Sequence, residues 1–250
     1  MYSVLLLAAM WIGVTLSTAM RLESRASTTS IQPSTTTKGM NLRILPLGAS
    51  ITYGVGSTDG NGYRLELYNL LEAKHINVAF VGTQVNGNMA NNMNEGYPGR
   101  RIEEVQTLAR QSGAYEFLPN LVLIHVGTND CVQDFSTAGA PARLASLVEE
   151  VLLAIPNTTV VLSNLVPNRV QKIEQCIMRF NTAIEEIAIQ LNADGAKVVF
   201  ADMHSAVNVS NINESDGVHP TDEGYRIMAH VWSGIIREAC SKVSPLYLRY

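Results

Sequence analysis

The sequence is poor in charge: only 16% of its 250 residues are charged, and lysine and arginine nowhere form a dense run. The formal net charge is -4, so a groove for nucleic acid or another polyanion is not expected. Histidine, cysteine and carboxylate residues do not cluster at the spacing of metal ligands. We therefore expect no metal and no nucleic-acid partner.

Long apolar runs are also scarce, and the one at the N-terminus covers only residues 4–14. It is shorter than the roughly 20 residues that a membrane-spanning helix needs, and the small residues Ser17, Thr18 and Ala19 follow it. This arrangement is typical of a secretory signal peptide, so we expect residues 1–19 to be removed and the mature protein to be secreted. Residues 20–40 are rich in serine and threonine, which indicates a flexible leader. No membrane span is expected.

Cysteine is rare as well, with only Cys131, Cys176 and Cys240 present. In an oxidising compartment this number allows one disulfide and leaves one thiol. Cys131 with Cys176 is the favoured pair, because Cys131 follows the end of a predicted strand and Cys176 begins a predicted helix. The sequence does not exclude the other pairings. Three Asn-x-Ser/Thr sequons are candidate N-glycosylation sites of a secreted protein: Asn157, Asn208 and Asn213.

From residue 41 onward, short apolar runs alternate with amphipathic helical patterns. Five runs are apolar on both faces and are predicted as strands: residues 42–47, 78–81, 121–126, 159–165 and 197–201. Helical spacing of apolar residues predicts four helices: residues 63–74, 142–154, 173–191 and 222–239. The alternation predicts a single domain over residues 41–250, a three-layer α/β/α sandwich with a five-stranded parallel sheet.

Several polar segments lie next to these predicted elements. Ser50 follows the first strand, and Asn129 lies in a Gly-Thr-Asn-Asp motif after the third. Asp216 and His219 lie three residues apart in an Asp-Gly-Val-His-Pro motif, just before the last helix. Ligand sites of open parallel sheets lie beyond the carboxyl ends of the strands. We therefore expect the fold to bring these segments together at one edge.

The residue types in these segments match the needs of acyl transfer. The hydroxyl of Ser50 can serve as nucleophile, His219 as its base, and Asp216 as the carboxylate that orients the imidazole. The backbone N–H groups of Ser50 and Gly99 and the side-chain amide of Asn129 can donate to the oxyanion. Each segment alone could be a turn or a helix cap. Together they meet the separate demands of one mechanism.

This ordered set of motifs, from residue 42 to about residue 239, resembles the SGNH hydrolases, or GDSL-type esterases. The resemblance implies the flavodoxin-like fold of that superfamily and no metal or other cofactor. It implies Ser50 as nucleophile, Gly99 and Asn129 as oxyanion residues, and Asp216 and His219 as acid and base.

The Glu-Gly-Tyr-Pro-Gly segment at residues 95–99 is most similar to carbohydrate esterase family 3, a group of secreted acetylxylan esterases. Two departures from the superfamily pattern are visible. Ala49 replaces the aspartate of Gly-Asp-Ser-Leu, which should not remove activity because that aspartate is not a required proton carrier. Arg100 follows Gly99 where relatives often carry an aromatic residue, and this concerns the contacts to the alcohol side of the substrate.

The sequence therefore predicts a secreted serine esterase that removes acetyl groups from plant cell-wall polysaccharide through an acyl-enzyme on Ser50. Its partner would be an acetylated polysaccharide or a small ester, and we expect a monomer. A lipase or lysophospholipase of the same superfamily, or a general short-chain carboxylesterase, is the alternative. A lipase would favour a large apolar groove, whereas the Asn-rich residues 86–94 favour a polar cleft rim. An inactive carbohydrate-binding relative is disfavoured because Ser50 and His219 are both present.

Other kinds of site fit the sequence less well. The glycines at 54, 56 and 60 do not have the spacing of a dinucleotide-binding loop, and Ser50 lacks the Gly-x-Ser-x-Gly context of an α/β-hydrolase. His204 lies two residues after Asp202, a spacing that favours a structural role. His125 lies within a predicted strand and is expected in the core.

Overall fold

Seven strands form the sheet of the described part of the chain, residues 40–239 of a computed structural model. The strands are β1 (Asn41–Gly48), β2 (Asn77–Phe80), β3 (Gln84–Val85), β4 (Met93–Gly96), β5 (Leu121–His125), β6 (Thr159–Ser163) and β7 (Val198–Ala201). The predicted signal peptide, the predicted leader up to residue 39 and Cys240 lie outside the described residues.

Five positions in this sheet are occupied by parallel strands. β5, β6 and β7 follow β1 on one side, each paired in parallel with its neighbour. On the other side of β1, β2 pairs with the first half of the strand and β4 with its last two residues, so these two strands share one position. The short β3 is antiparallel to β4. The predicted parallel α/β sheet is therefore confirmed, and β3 and β4 are additions to its five predicted strands.

Seven α-helices surround the sheet in the described chain: α1 (Ser50–Tyr53), α2 (Arg64–Glu72), α3 (Ile102–Gln111), α4 (Thr128–Val132), α5 (Ala140–Ala154), α6 (Gln171–Ala193) and α7 (Asp222–Ala239). α2 and α7 cover one face, and α3, α5 and α6 cover the other. None of the helices between residues 40 and 239 combines the length and apolarity that crossing a membrane requires.

Alternating side chains of the central strand β5 pack into the two cores on opposite faces of the sheet. A strand that is apolar on both faces predicts this. Leu121 and Leu123 join the core under α2 and α7, whereas Val122 and Ile124 join the core under α3, α5 and α6. Trp232 of α7 is fully buried in the first of these cores. Truncating a buried side chain of this size costs about 3–5 kcal/mol, so the helical layer contributes strongly to stability.

β4 was not predicted because its sequence is polar, and hydrogen bonds take the place of apolar contacts around it. The fully buried Glu95 accepts hydrogen bonds from the Thr83 backbone N–H, the Tyr97 hydroxyl and the Ser112 hydroxyl. Burial and the bond to Glu95 raise the pKa of Tyr97 to about 12, so this hydroxyl keeps its proton at neutral pH. These bonds place β4, and the turn that follows it, next to β1.

The Asn-rich residues 86–94 also bind the protein's own backbone. Asn86 donates to the carbonyls of Tyr53 and Gly60. The guanidinium of the fully buried Arg64 donates to both of these carbonyls and to the carbonyls of Asn86 and Asn92. The segment is therefore a scaffold for neighbouring loops. The sequence had suggested that the polarity of this segment favours an acetylesterase over a lipase. Because the amides bind backbone groups, the polarity does not distinguish the two.

Candidate active site

Ser50 lies at the first position of α1, directly beyond the carboxyl end of β1. The adjacent strands β1 and β4 end at the paired glycines Gly48 and Gly96. A Cβ atom on Gly48 would clash with the carbonyl of His125, and one on Gly96 would clash with the backbone of Tyr53. The absence of these side chains lets β5 and α1 approach closely, and this packing brings the serine to the edge of the sheet.

Ser50, His219 and Asp216 form a continuous series of hydrogen bonds. The Ser50 hydroxyl donates to Nε2 of His219 across 2.8 Å. Nδ1 of His219 donates to Oδ2 of Asp216 across 2.7 Å. The fold thus joins two chain segments 169 residues apart, and the three side chains predicted from the motifs are in contact.

The carboxylate of Asp216 is held by its own loop. Its Oδ1 atom accepts the backbone N–H groups of Val218 at 2.8 Å and His219 at 3.0 Å. Partial burial acts to raise the pKa of Asp216, but the bonds from the His219 ring and these N–H groups outweigh it and hold the pKa below its usual value. An ionised carboxylate favours the proton on Nδ1 of His219, so the Nε2 lone pair faces Ser50.

The loop that carries Asp216 and His219 is closed by backbone hydrogen bonds. Asn213 donates its N–H to the carbonyl of His219 at 2.8 Å and accepts the N–H of Gly217 at 2.9 Å. Arg169 fixes the loop from outside: its Nε donates to Ile212 at 2.7 Å, and its backbone N–H donates to Gly217 at 3.0 Å. No sequence motif marks Arg169, because its role depends on a contact 43 residues away.

Gly99 lies in a turn that follows β4. Arg100 donates its N–H to the carbonyl of Tyr97 at 3.1 Å, Pro98 occupies the second position, and Gly99 has φ +79°. These features are those of a type II β-turn, which requires positive φ at its third residue. The N–H of Gly99 belongs to the central peptide and not to the bond that closes the turn. It can therefore serve as a donor to a ligand.

Asn129, on α4, presents a side-chain amide to the same region. One N–H of its Nδ2 donates to the carbonyl of Arg100 at 2.9 Å, and an amide nitrogen has a second N–H for a ligand. Asn129 and Ser50 line one small cavity of about 10 Å³, together with Ala49, Ile51, His125 and other residues. The side chain of Arg100 forms an ion pair with Glu104 at 3.1 Å.

Two further histidines, His125 and His204, bond to partners other than Ser50, Asp216 and His219. His125 is 2% exposed, and its Nδ1 lies 2.9 Å from the Ser163 hydroxyl. Burial lowers the pKa of His125 to about 4, so it is neutral at neutral pH. His204 contacts Glu174 at 3.2 Å and the carbonyl of Leu165 at 3.1 Å. In residues 40–239, no group of three or more His, Cys, Asp or Glu residues is arranged to hold a metal ion.

A disulfide joins Cys131 of α4 to Cys176 of α6, the pair that the sequence favoured. It closes a sequence separation of 45 residues, which corresponds to about 4 kcal/mol of stabilisation in the chain-entropy model. Because Cys131 lies two residues after Asn129, the disulfide anchors the short helix that carries this amide.

The chain matches the family model described as GDSL-like Lipase/Acylhydrolase over residues 44–232. A multidomain esterase from Ruminococcus flavefaciens is 28% identical over 239 residues, which cover 82% of this chain and 30% of that protein. The chain therefore spans less than a third of the length of this curated relative.

Solved structures share the fold. A family 3 carbohydrate esterase from Clostridium thermocellum has a TM-score of 0.72 and 24% identity, covering 82% of this chain and 100% of that chain. A catalytic mutant of an acetylxylan esterase from Geobacillus stearothermophilus has a TM-score of 0.58 and 19% identity, with coverage of 81% and 94%. The predicted SGNH hydrolase fold is confirmed. The predicted class of carboxylic ester hydrolase is confirmed at the level of the family. The chain belongs to the GDSL-like lipase/acylhydrolase family.

Proposed function

We propose that the protein is a secreted, monomeric serine esterase that removes acetyl groups from plant cell-wall polysaccharide through an acyl-enzyme on Ser50. The observation that carries the proposal is the series of hydrogen bonds from Asp216 through His219 to Ser50. Ester hydrolysis near neutral pH needs a nucleophile activated by a base and an acid that holds this base in the right tautomer. The three side chains meet these needs in one place.

In the first half of the reaction, Oγ of Ser50 attacks the carbonyl carbon of the acetyl ester while its proton passes to Nε2 of His219. The carbonyl oxygen becomes negatively charged and accepts hydrogen bonds from the N–H groups of Ser50 and Gly99 and from the amide of Asn129. Asp216 stabilises the imidazolium. The bond between the carbonyl carbon and the sugar oxygen then breaks, and His219 returns the proton to that oxygen. The sugar leaves as an alcohol.

In the second half, a water molecule replaces the sugar alcohol. His219 takes a proton from this water as its oxygen attacks the acetyl carbon, and the same donors stabilise the second oxyanion. The bond to Oγ of Ser50 breaks, and Ser50 recovers its proton from His219. Acetate is released, and the protein returns to its starting protonation state.

A short acyl group is supported by the size of the space at the nucleophile. The cavity beside Ser50 offers only about 10 Å³, roughly the space of one water molecule and far below the roughly 300–1,000 Å³ of typical small-molecule pockets. A carbohydrate as the alcohol is supported by the resemblance to carbohydrate esterase family 3 and by the carbohydrate esterases that share the fold. A lipase of the same family would instead need a long apolar groove.

We predict that kcat/KM falls along the series p-nitrophenyl acetate, octanoate and palmitate. A longer chain cannot enter the small cavity, whereas an apolar lipase groove would gain about 0.8 kcal/mol for each CH2 that it buries. Acetate release from acetylated xylan, compared with release from p-nitrophenyl acetate, tests the carbohydrate part. Preference for palmitate would support the lipase, and hydrolysis of the p-nitrophenyl ester alone would support a general short-chain carboxylesterase.

Secretion from a eukaryotic host, through a signal peptide cleaved after Ala19, exposes the three sequons to the enzymes of N-glycosylation. Asn157 is exposed in a turn. Asn208 is also exposed, and its hydrogen bonds to Ser210 use the amide oxygen and not the nitrogen. At Asn213 the amide nitrogen itself donates to the carbonyls of Pro220 at 3.1 Å and Gly56 at 3.4 Å. A glycan on this nitrogen would disturb the loop of His219.

We therefore predict glycans at Asn157 and Asn208 and none at Asn213 when the chain is secreted from a eukaryotic host. Peptide mapping by mass spectrometry before and after treatment with peptide N-glycosidase measures the occupancy of each site. The N-terminal peptide in the same experiment tests cleavage after Ala19. Active protein with a fully occupied Asn213 would contradict the prediction.

A further inference from the structure

The two oxyanion donors outside α1 lie on separate elements, and a set of hydrogen bonds between α4 and the segment after β4 holds these elements together. Three side chains make the contacts: Asn129 and Asp130 of α4, and Gln133 at its C-terminal end. The hydrogen bonds run from Asn129 Nδ2 to the Arg100 carbonyl at 2.9 Å, from the Ile102 N–H to Asp130 Oδ2 at 3.2 Å, and from Gln133 Nε2 to the Gly99 carbonyl at 2.8 Å. Of these side chains, only Gln133 contacts Gly99 itself.

The contact from Gln133 acts on the most adaptable residue of the turn. Glycine can leave the left-handed region at little cost, and a rotation about its backbone bonds would redirect the N–H of Gly99. The peptide between Gly99 and Arg100 is held at its N–H by the carbonyl of Tyr97 and at its carbonyl by Gln133. Both ends of this peptide are therefore fixed, and the glycine has little freedom to rotate.

Arg101 determines which end of the Gln133 amide faces the turn. Nη1 of Arg101 donates to Oε1 of Gln133 at 2.7 Å, so the amide nitrogen points to Gly99. Arg101 is itself held by Glu103 at 2.9 Å, and its guanidinium lies 4.0 Å from the centre of the Phe135 ring. The orientation of a terminal amide is otherwise free to reverse, and here the cation selects one orientation.

We propose that Gln133 is a positioning residue of the oxyanion site, which holds the N–H of Gly99 in register with the amide of Asn129. The inference rests on the proposed function, because it assigns Gln133 a role in the same acyl transfer. Gln133 does not contact the reacting atoms and acts through Gly99. Preorganised donors stabilise a transition state because they need no reorganisation when charge develops. Loosening Gly99 would therefore weaken the transition state more than the bound substrate.

The test uses two variants of the full secreted chain. Gln133→Met keeps the shape and removes both hydrogen bonds, and Gln133→Glu keeps an acceptor for Arg101 but has no donor for Gly99. For both, we expect kcat on p-nitrophenyl acetate to fall roughly 10- to 100-fold with KM within about twofold. Because Gln133 is exposed, Tm should change by no more than about 2 °C.

Gln106→Met is the matched control. The Gln106 amide donates to the Ser146 carbonyl, the Ser146 hydroxyl and Glu150, between α3 and α5. Its loss removes at least as many hydrogen bonds as the loss of Gln133, but none of them reaches Gly99 or Asn129. We therefore expect kcat to stay at the wild-type value. A fall in kcat for Gln106→Met equal to that for Gln133→Met would assign the effect to general loosening and overturn the proposal.

A second readout follows the oxyanion site directly. Methylboronic acid forms a tetrahedral adduct with a serine hydroxyl, and one boron oxygen occupies the oxyanion position. Its inhibition constant should rise in Gln133→Met by the same factor by which kcat/KM falls, a change that lower stability alone would not produce. Wild-type kcat and an unchanged inhibition constant in both Gln133 variants would overturn the role of Gln133. That outcome would leave the proposed function standing, whereas wild-type hydrolysis by Ser50→Ala would remove both.

Discussion

Replacing Ser50 with alanine is expected to lower kcat on p-nitrophenyl acetate by about 10⁴- to 10⁶-fold, with the fold intact. The hydroxyl of Ser50 bonds only to His219 among the hydrogen bonds of the described residues, and its removal leaves no atom to form the acyl-enzyme. The proposed oxyanion donors and the carboxylate of Asp216 remain in place. The residual rate should therefore reflect attack by water without covalent catalysis.

Ser57→Ala is the matched control for this prediction. The Ser57 hydroxyl is half-buried in the loop after α1 and bonds to Gly54 at 2.7 Å and Gly62 at 3.0 Å. Its loss should cost about 1 kcal/mol of stability and leave kcat near the wild-type value. Mass spectrometry of an acid-quenched wild-type reaction should find an acetyl group on the peptide that contains Ser50. Retention of more than about a tenth of the wild-type rate by Ser50→Ala would reject the acyl-enzyme.

Replacing Asn129 with alanine is expected to lower kcat by about 10²- to 10³-fold, the scale of one oxyanion donor. The amide of Asn129 lines the cavity beside Ser50, and its bond to the carbonyl of Arg100 aims the second N–H toward the site. Because the charge on the carbonyl oxygen develops only in the transition state, KM should change much less than kcat. The measurement is the steady-state comparison of kcat and KM for the acetyl ester.

Asn192→Ala provides a control with similar chemistry far from the site. The Asn192 amide donates to the carbonyl of Val198 at 2.6 Å, at the opposite end of β7. Its loss removes a side-chain amide and its bond to a backbone carbonyl, and kcat should not change. An unchanged kcat in Asn129→Ala would show that this residue is not an oxyanion donor, whatever the behaviour of Ser50→Ala.

Much of the fold could be predicted because the main elements have strong local patterns. The predicted helix at residues 222–239 has the bounds of α7, and the five predicted strands lie within two residues of the observed ones. Runs that are apolar on both faces indicate strands buried between two helical layers. The candidate site was predicted from the chemistry of its residue types: a serine, a histidine and a carboxylate at the ends of elements have few joint uses other than acyl transfer.

Other features were missed because they depend on partners that are distant in the chain. Glu95 and Asn94 form a strand although their sequence is polar, since Thr83, Tyr97 and Ser112 satisfy the buried carboxylate. The amides of the Asn-rich segment were interpreted as the rim of a cleft, and the structure uses them to hold loops. Each side chain could face solvent or backbone on local grounds, so its sequence neighbours do not decide its role.

Local patterns and side-chain chemistry are sufficient to indicate the class of sheet, the positions of its apolar strands along the chain and a set of candidate residues for acyl transfer. They reflect properties that act over a few residues: the apolar periodicity of strands and helices, and the reactivity of individual groups. The positions of Gly99, Asn129 and His219 relative to Ser50 come only from tertiary structure. Gln133, Arg169 and Asn213 gain their roles in the same way, because a hydrogen bond forms with whichever backbone group the folded chain brings near, and no local pattern encodes that partner.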